Sequence, residues 1–420
     1  MPLALKFQHF LLMKSRPTFI DLFAGAGGLS EGFIRSGFSP VAHVEMDKNA
    51  CDTLKTRLAY HYLCKMKKQS IYNSYLKNEI TREDLWNEIP KEIIDTVINE
   101  EITQKTIKDI FKKIDTFLKG KKVGVIVGGP PCQAYSLVGR SRDNKGMKWD
   151  RRNFLFRFYA QFLIKYKPKY FVFENVLGLL SAGSQKYLNE MLSLFEKCGY
   201  KTDYKVLNAE DYEVLQKRRR VVIMGKKGKS KFSFPEIPIN NNNWQTKKDL
   251  FYDLPPLKVA EEKNITNYVQ PINEYLKNTG IRNGVNFVTQ HITRYHNNRD
   301  LEIYSIAIDK WLNDKIRLKY SDLPKRLRTH KNTKAFLDRF KVVDPEGHSH
   351  TMVAHIAKDG HYYIYPDSKQ VRSLSVREAA RIQSFPDDYY FEGGRTAAFK
   401  QIGNAVPPLM GYFIAQNLKD

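Results

Sequence analysis

Short apolar runs, each followed by a loop of glycine, proline or charged residues, recur through the first half of the chain. Runs of this length bounded by turn formers predict buried strands, and the helix-length stretches between them predict an α/β fold with a doubly wound sheet. Thr18-Phe19-Ile20-Asp21-Leu22-Phe23 comes first, followed by the turn Ala24-Gly25-Ala26-Gly27-Gly28 and a helix from Leu29 to Ser36. Val41 to Val44 is a second strand, ending in Glu45. Val123 to Val127 is a third, running into Gly128-Gly129-Pro130-Pro131-Cys132-Gln133. Tyr170 to Phe173 carries Glu174-Asn175-Val176 at its end, and Val221 to Met224 is entered through Gln216-Lys217-Arg218-Arg219-Arg220.

Helical spacing fills most of the remainder. Residues 50–120 are mostly charged, with Leu, Ile and Phe three and four apart, which predicts amphipathic surface helices over 76–89 and 92–118. They read as a helical insertion ahead of the strand that leads to Cys132. Asn153 to Tyr166 predicts an apolar, aromatic helix that stops before Pro168. From Lys226 the alternation of strand and helix is lost, which marks a domain boundary. Residues 226–372 hold seven of the ten histidines and many Arg, Tyr and Asn, a mixture suited to loops that touch phosphates and base edges. Ser375 to Ser384 predicts a helix with Ser375 as N-cap and Glu378 three residues on; Arg377 and Arg381 share one face. An apolar helix closes the chain after Gln401-Ile402-Gly403-Asn404-Ala405-Val406-Pro407-Pro408.

Charge sharpens this picture. Lys and Arg number 69 against 45 Asp and Glu, a net +24, so the surface field gathers polyanions, nucleic acid first among them. Cys51, Cys64, Cys132 and Cys198 form no CxxC pair, which argues against a disulfide framework or zinc finger and fits a reducing compartment. No run approaches the ~18 apolar residues of a membrane span. Leu3 to Met13 is apolar but holds Lys6 and His9, with no small-residue cleavage site after it, unlike a signal peptide.

Candidate chemistry gathers at strand ends. Two glycines let the chain turn and two prolines fix φ, so Cys132 stands on a stiff turn at the sheet edge where α/β folds bind ligands. Glu174 belongs to the same edge. Strand alternation sends Arg218 and Arg220 to one face, aimed at one cleft. The loop Gly25-x-Gly27-x-x-Ser30 lacks the third glycine of the dinucleotide fingerprint, but Glu45 stands where a carboxylate can accept from both ribose hydroxyls. Ala134 to Gly146 predicts a positive loop able to close over a phosphate backbone. His348, His350 and His355 lack a completing Cys or carboxylate cluster, so no metal is expected.

In order along the chain, Asp21-Leu22-Phe23-Ala24-Gly25-x-Gly27-Gly28, Pro130-Pro131-Cys132-Gln133, Glu174-Asn175-Val176, Gln216-x-Arg218-x-Arg220, Arg377 to Pro386 and Gly403-Asn404-Ala405-Val406 resemble the motifs of one family. That family is the cytosine-5 DNA methyltransferases, especially those of bacterial restriction–modification systems. The resemblance covers nearly the whole chain. It implies a Rossmann-like S-adenosylmethionine-dependent methyltransferase fold: a catalytic domain over 18–225, completed by 400–420, and a smaller target recognition domain over 226–399. It further implies double-stranded DNA as substrate, a cognate restriction endonuclease acting on the same site, a monomer, and a bacterial cytoplasmic, nucleoid-associated location.

The family pattern also assigns roles. Cys132 would attack carbon 6 of a flipped cytosine, Glu174 would stabilise ring nitrogen 3, Arg220 would contact the 2-oxo group and Arg218 would orient the cluster. Phe23, Ala26, Gly28, Glu45, Pro131, Leu155, Asn404 and Val406 would form the cofactor pocket, with Asp109 as a guess for the adenine-binding acid. Gln133, Ser136, Arg152 and Thr351 would lie near DNA. A transfer RNA methyltransferase of the same chemistry is an alternative. That branch usually carries a Cys-Phe-Thr motif in its recognition region, and this chain has no cysteine after Cys198. A catalytically dead or regulatory DNA-binding relative is a second alternative, opposed by intact Cys132, Glu174 and Arg220.

Overall fold

The computed structural model describes residues 16–131, 154–182, 185–236, 243–329 and 337–418. Among these, seven strands form one sheet: β1 (Thr18–Leu22), β2 (Ser39–Glu45), β3 (Val97–Asn99), β4 (Val125–Gly128), β5 (Tyr170–Val176), β6 (Tyr200–Asn208) and β8 (Arg219–Lys227), in the order β3-β2-β1-β4-β5-β8-β6. β8 is antiparallel to β5 and β6, and the other pairs are parallel.

The period of two along each strand distributes apolar side chains to two faces. On β4, Ile126 joins one core with Phe162 and Leu163 of α4 (Leu155–Tyr166), Ile110 and Ile114 of α3 (Ile107–Leu118) and Phe195 of α5 (Lys186–Lys197). Val125 and Val127 join the opposite core, with Leu29 and Phe33 of α1 (Gly28–Arg35) and Leu409, Met410 and Ile414 of α9 (Pro408–Gln416). The first and last helices meet without spacing: a Cβ on Gly32 would lie 2.4 Å from the Tyr412 amide nitrogen.

A further core joins Leu250, Val288 and Met352 to α7 (Val376–Ile382) and α8 (Gly394–Asn404), and it takes in Ala26 and Leu215 from the sheet half. Residues beyond 226 therefore share a core with the glycine loop. A small separate core surrounds α6 (Asn298–Asp314), built from Tyr304, Ile308, Leu318, Leu327, Phe340 and Ile364. Two short sheets complete the fold: β9 (Glu262–Asn267) with β10 (Phe287–Ile292), and β7 (Gln216–Lys217) with β11 (Ser349–His350).

The helical insertion expected over 50–120 is corrected in its second half. Val97 and Ile98 are buried and pair with His43 and Val44, so β3 is a strand of the sheet, and α3 packs on it through Ile110 and Ile114. The helix expected over 92–118 is broken by this strand. The one expected over 76–89 shortens to Arg82–Asn87, because Asn78 turns left-handed (φ 60°) and Thr81 with Asp84 opens a new helix through a capping box. α2 (Lys48–Lys65) and the helix Gln69–Leu76 pack on the far half of the chain, where Tyr60, Tyr72 and Tyr75 share a core with Phe287. At α7 the expected box forms: Ser375 Oγ accepts from the Glu378 amide and the Glu378 carboxylate from the Ser375 amide. Arg377 and Arg381 are fully buried rather than facing solvent, Arg381 pairing with Asp253 and Asp387 at 2.6 Å each.

Candidate active site

β1 and β4 lie side by side while their chains leave in opposite directions, β1 to β2 and β4 to β5. Such a switch point opens a crevice at the carboxyl ends of the strands. The glycine loop lines it with left-handed φ at Phe23, Gly25 and Gly27 (57°, 54° and 78°), which glycine adopts freely but which is rare, and costs energy, for an aromatic residue. Glu45, at the end of β2, accepts from the Gly25 amide through one oxygen (2.8 Å) and from the Met46 and Asp47 amides through the other (2.9 and 2.8 Å). Burial raises the Glu45 pKa, and these amide bonds oppose the rise. Nothing lies within 4 Å of where a Gly25 side chain would start, so the crest of the loop is open.

Ala26 and Gly28, expected in the cofactor pocket, turn their side-chain faces to the protein. Ala26 is buried in the core of α7 and α8, and a Cβ on Gly28 would stand 2.2 Å from the Val406 carbonyl oxygen. Phe23 is half-buried against the core of α3, α4 and α5, Leu155 is half-buried at the start of α4, and Val406 packs on the core of α1 and α9. Pro131 and Asn404 are exposed. Asp109 sits in the first turn of α3, exposed and paired with Lys112 (3.1 Å). Among the polar groups at the end of β2 is Asn99, whose amide donates to the Glu45 and Met46 carbonyls at 3.2 and 3.0 Å. A lone asparagine after two apolar residues gives no motif by which the sequence could single it out.

At the neighbouring strand ends, Arg220 Nε stands 2.8 Å from Glu174 Oε1, both side chains mostly buried. The β5–β8 register, Glu174 opposite Val222 and Val176 opposite Arg220, makes the two diagonal neighbours. A Cβ on Gly129 would lie 2.6 Å from Glu174 Oε2, so this turn needs glycine for the carboxylate to lie against it. Cys132 follows three residues later; it lies outside the described residues, as do Gln133, Ser136 and Arg152.

Arg218 departs from the expected shared face. β8 begins at Arg219, so the strand's alternation does not reach Arg218. Its buried guanidinium donates to the carbonyls of Met352 and Ala405. Gln216 beside it donates to Gln383 and accepts from the Met352 amide, each at 2.8 Å. Thr351 is drawn to the same node, its hydroxyl 2.6 Å from the Lys217 carbonyl. His348 faces Glu210 and His350 Nε2 donates to the Tyr362 carbonyl; among the described residues no cluster of three His, Cys, Asp or Glu could hold a metal.

A family model of C-5 cytosine-specific DNA methylases matches residues 17–85 and 81–420. The chain belongs to this family. This cytosine-5 methylase is 41% identical over 439 residues to the type II methyltransferase M.Bpa9945I of Bacillus paralicheniformis, covering 96% of this chain and 98% of the relative. It is 31% identical to M1.HphI of Haemophilus parahaemolyticus, over 97% and 88% of the two chains. In fold it resembles a solved structure described as a prophage-encoded DNA modification methyltransferase of E. coli (TM-score 0.62, 22% identity, 96% and 98% coverage) and Dnmt2 of S. pombe (TM-score 0.50, 14% identity, 95% and 98% coverage). The chain is a DNA cytosine-5 methyltransferase of the restriction–modification type.

One further group of the methylase stands beneath the loop. Asp21 on β1 is buried and accepts from Ser30 Oγ at 2.6 Å. Burial pushes its carboxyl up to about 7, the Ser30 bond opposes this, and the nearby Glu45 charge adds to the rise. Among the described residues no helix is long and apolar enough to cross a membrane.

Proposed function

We propose that Cys132, Glu174 and Arg220 methylate carbon 5 of a cytosine flipped out of duplex DNA, with S-adenosylmethionine held at the glycine loop. The Arg220–Glu174 pair, set against Gly129 three residues before Cys132, carries this reading. The donor assignment is supported by the open crest at Gly25 beside the Glu45 carboxylate, which suits the two hydroxyls of a ribose. Phe23 serves the adenine side, and Pro131, Leu155, Asn404 and Val406 border the pocket. Ala26 and Gly28 serve it indirectly, by seating the loop on the protein.

Carbon 5 of cytosine is a weak nucleophile while the ring keeps its conjugation. Addition of the Cys132 thiolate to carbon 6 breaks that conjugation and moves electron density to carbon 5. Surrounding positive charge, from Arg220 and the basic loop after Cys132, favours the thiolate. Glu174, oriented by Arg220, holds the proton at ring nitrogen 3 and accepts from the 4-amino group, while Arg220 donates to the 2-oxo group. When bound, S-adenosylmethionine supplies the electrophilic methyl group that carbon 5 takes up. Loss of the carbon 5 proton then expels Cys132 and restores the ring. Flipping the base costs a few kcal/mol, and Gln133, Ser136, Arg152 and Thr351 serve the flipped strand. Arg218 acts as a positioning residue that ties the strand bearing Arg220 to residues 352 and 405.

The catalytic domain comprises residues 18–225 and 400–420, and the recognition domain lies within 226–399, with the separately cored body around α6 as its sequence-reading part. The enzyme acts as a monomer in the bacterial cytoplasm, at the nucleoid, and protects DNA from a cognate endonuclease. Cys132→Ser is expected to abolish transfer of labelled methyl groups while DNA binding persists. A duplex carrying 5-fluorocytosine at the target should trap a covalent adduct at Cys132, because fluorine cannot leave as a proton. Undiminished labelling by the variant, or no adduct under turnover conditions, would refute the mechanism.

A further inference from the structure

Of the three left-handed residues in the glycine loop Gly25 and Gly27 adopt such φ freely, but Phe23 does not, and side chains from elsewhere hold the loop in this shape. Glu45 is one, through the Gly25 amide. The other comes from the far end of the chain: Tyr389, beyond α7, donates its hydroxyl to the Ala26 carbonyl. Tyr389 is itself firmly placed. It is 1% exposed, its ring lies 4.7 Å from that of Phe385 and 5.3 Å from that of Phe391, and the Arg57 guanidinium sits 4.7 Å from its centroid. Arg57 is pinned by Glu31 at 2.6 and 2.9 Å and by Asp388 at 2.9 Å. The hydroxyl also stands 3.1 Å from where a Gly27 side chain would begin, so loop and tyrosine fit each other closely.

We infer that Tyr389 is a positioning residue for the methyl donor: by holding the Ala26 carbonyl it keeps the loop crest in the shape that lets Glu45 meet a ribose. This rests on the donor assignment above. Without the hydroxyl the buried carbonyl loses its donor and the strained loop relaxes. Only a fraction of molecules is then ready to bind, and the apparent affinity falls by that fraction.

The test is calorimetric titration of S-adenosylmethionine into the full-length protein and two variants that each delete one buried hydroxyl. Tyr389→Phe should bind the donor about tenfold more weakly, the scale of one well-placed hydrogen bond, with turnover at saturating donor retained. Tyr72→Phe is the control: its hydroxyl donates to the Asp388 carbonyl at 2.8 Å, one residue from Tyr389, and makes no bond to the loop. It should lower the melting temperature to a similar degree and bind the donor as the parent does. Parent-like affinity in Tyr389→Phe, or equal weakening in both variants, would reduce Tyr389 to a packing role and overturn the inference. Absence of binding by the unmodified protein would instead overturn the donor assignment.

Discussion

Gly129→Ala should separate folding from catalysis at the active site. Gly129 is not among the left-handed glycines, so its backbone admits alanine. The added Cβ would stand 2.6 Å from Glu174 Oε2 and 3.2 Å from the Glu174 carbonyl oxygen. Reaching the 3.4 Å of ordinary contact requires the carboxylate to move by about 0.8 Å. Oε2 ends a flexible side chain, so the fold absorbs this at about 1–3 kcal/mol at most. The carboxyl group is rigid, however, and Oε1 must move with Oε2, away from its 2.8 Å contact with Arg220. Misplacement of a reacting group by about 1 Å costs roughly 100-fold in rate, or about 2.7 kcal/mol on the barrier. Transfer of labelled methyl groups to duplex DNA should therefore show kcat reduced by about two orders of magnitude, with DNA affinity nearly unchanged and the melting temperature lowered by only a few degrees. Adding Glu174→Asp, one methylene shorter, should cost less in the alanine variant than in the parent, because the clash is already relieved. A folded Gly129→Ala enzyme with kcat within about threefold of the parent would refute this geometry as the basis of catalysis.

Arg381→Met takes from buried Asp253 and Asp387 the guanidinium they share at 2.6 Å, leaving Asp253 to Arg282 (3.0 Å) and Asp387 to the more distant Arg377 (3.9 Å), so urea melts should show a loss of about 3 kcal/mol; a loss below about 1 kcal/mol would contradict the pairing. Asp21 has its carboxyl raised from 3.8 to about 7 in the folded state, so folding favours its protonated form. Its contribution is fully present below pH ~4 and is lost as pH rises through ~7, at up to about 1.4 kcal/mol per unit. The stability gap between Asp21→Asn and the parent should accordingly grow in favour of the variant from pH 5 to 8, and parallel stability–pH curves would refute the shift. DNA affinity should fall steeply and log-linearly with salt, as phosphate counterions are released; a flat response would contradict the reading of the +24 charge.

Loops at strand ends were the most legible parts of the sequence, because glycine, proline and a terminal carboxylate leave local signals. Glu45, Glu174 and the Gly128–Pro131 turn fall at the sheet edge where the patterning put them, and Ser375 caps its helix as its spacing with Glu378 predicted. β3 escaped notice because three residues are too few to display alternation, and its charged flanks imitate an amphipathic helix. Arg218 was misplaced for a related reason: strand alternation was extended one residue past the strand's true start. The burial of Arg381 depends on Asp253 and Asp387, and no local pattern could announce the contact with the distant Asp253. Tyr389 is the clearest such case, since its partner, Ala26, lies 363 residues away.

The seating of α9 on α1 bears on how the enzyme is made. Leu29 and Phe33 emerge from the ribosome well before the residues that cover them, Leu409, Met410 and Ile414. About 370 residues separate the two helices, roughly 20–75 s of synthesis at 5–20 residues per second. During that interval the nascent sheet carries an uncovered apolar face, and its long-range closure makes folding slow and exposed to aggregation. A chain cut short before Pro408 would carry every residue of the proposed chemistry and still lack a finished core. Active methylase would thus accumulate only from chains translated through α9, since only these can cover the apolar face of the sheet.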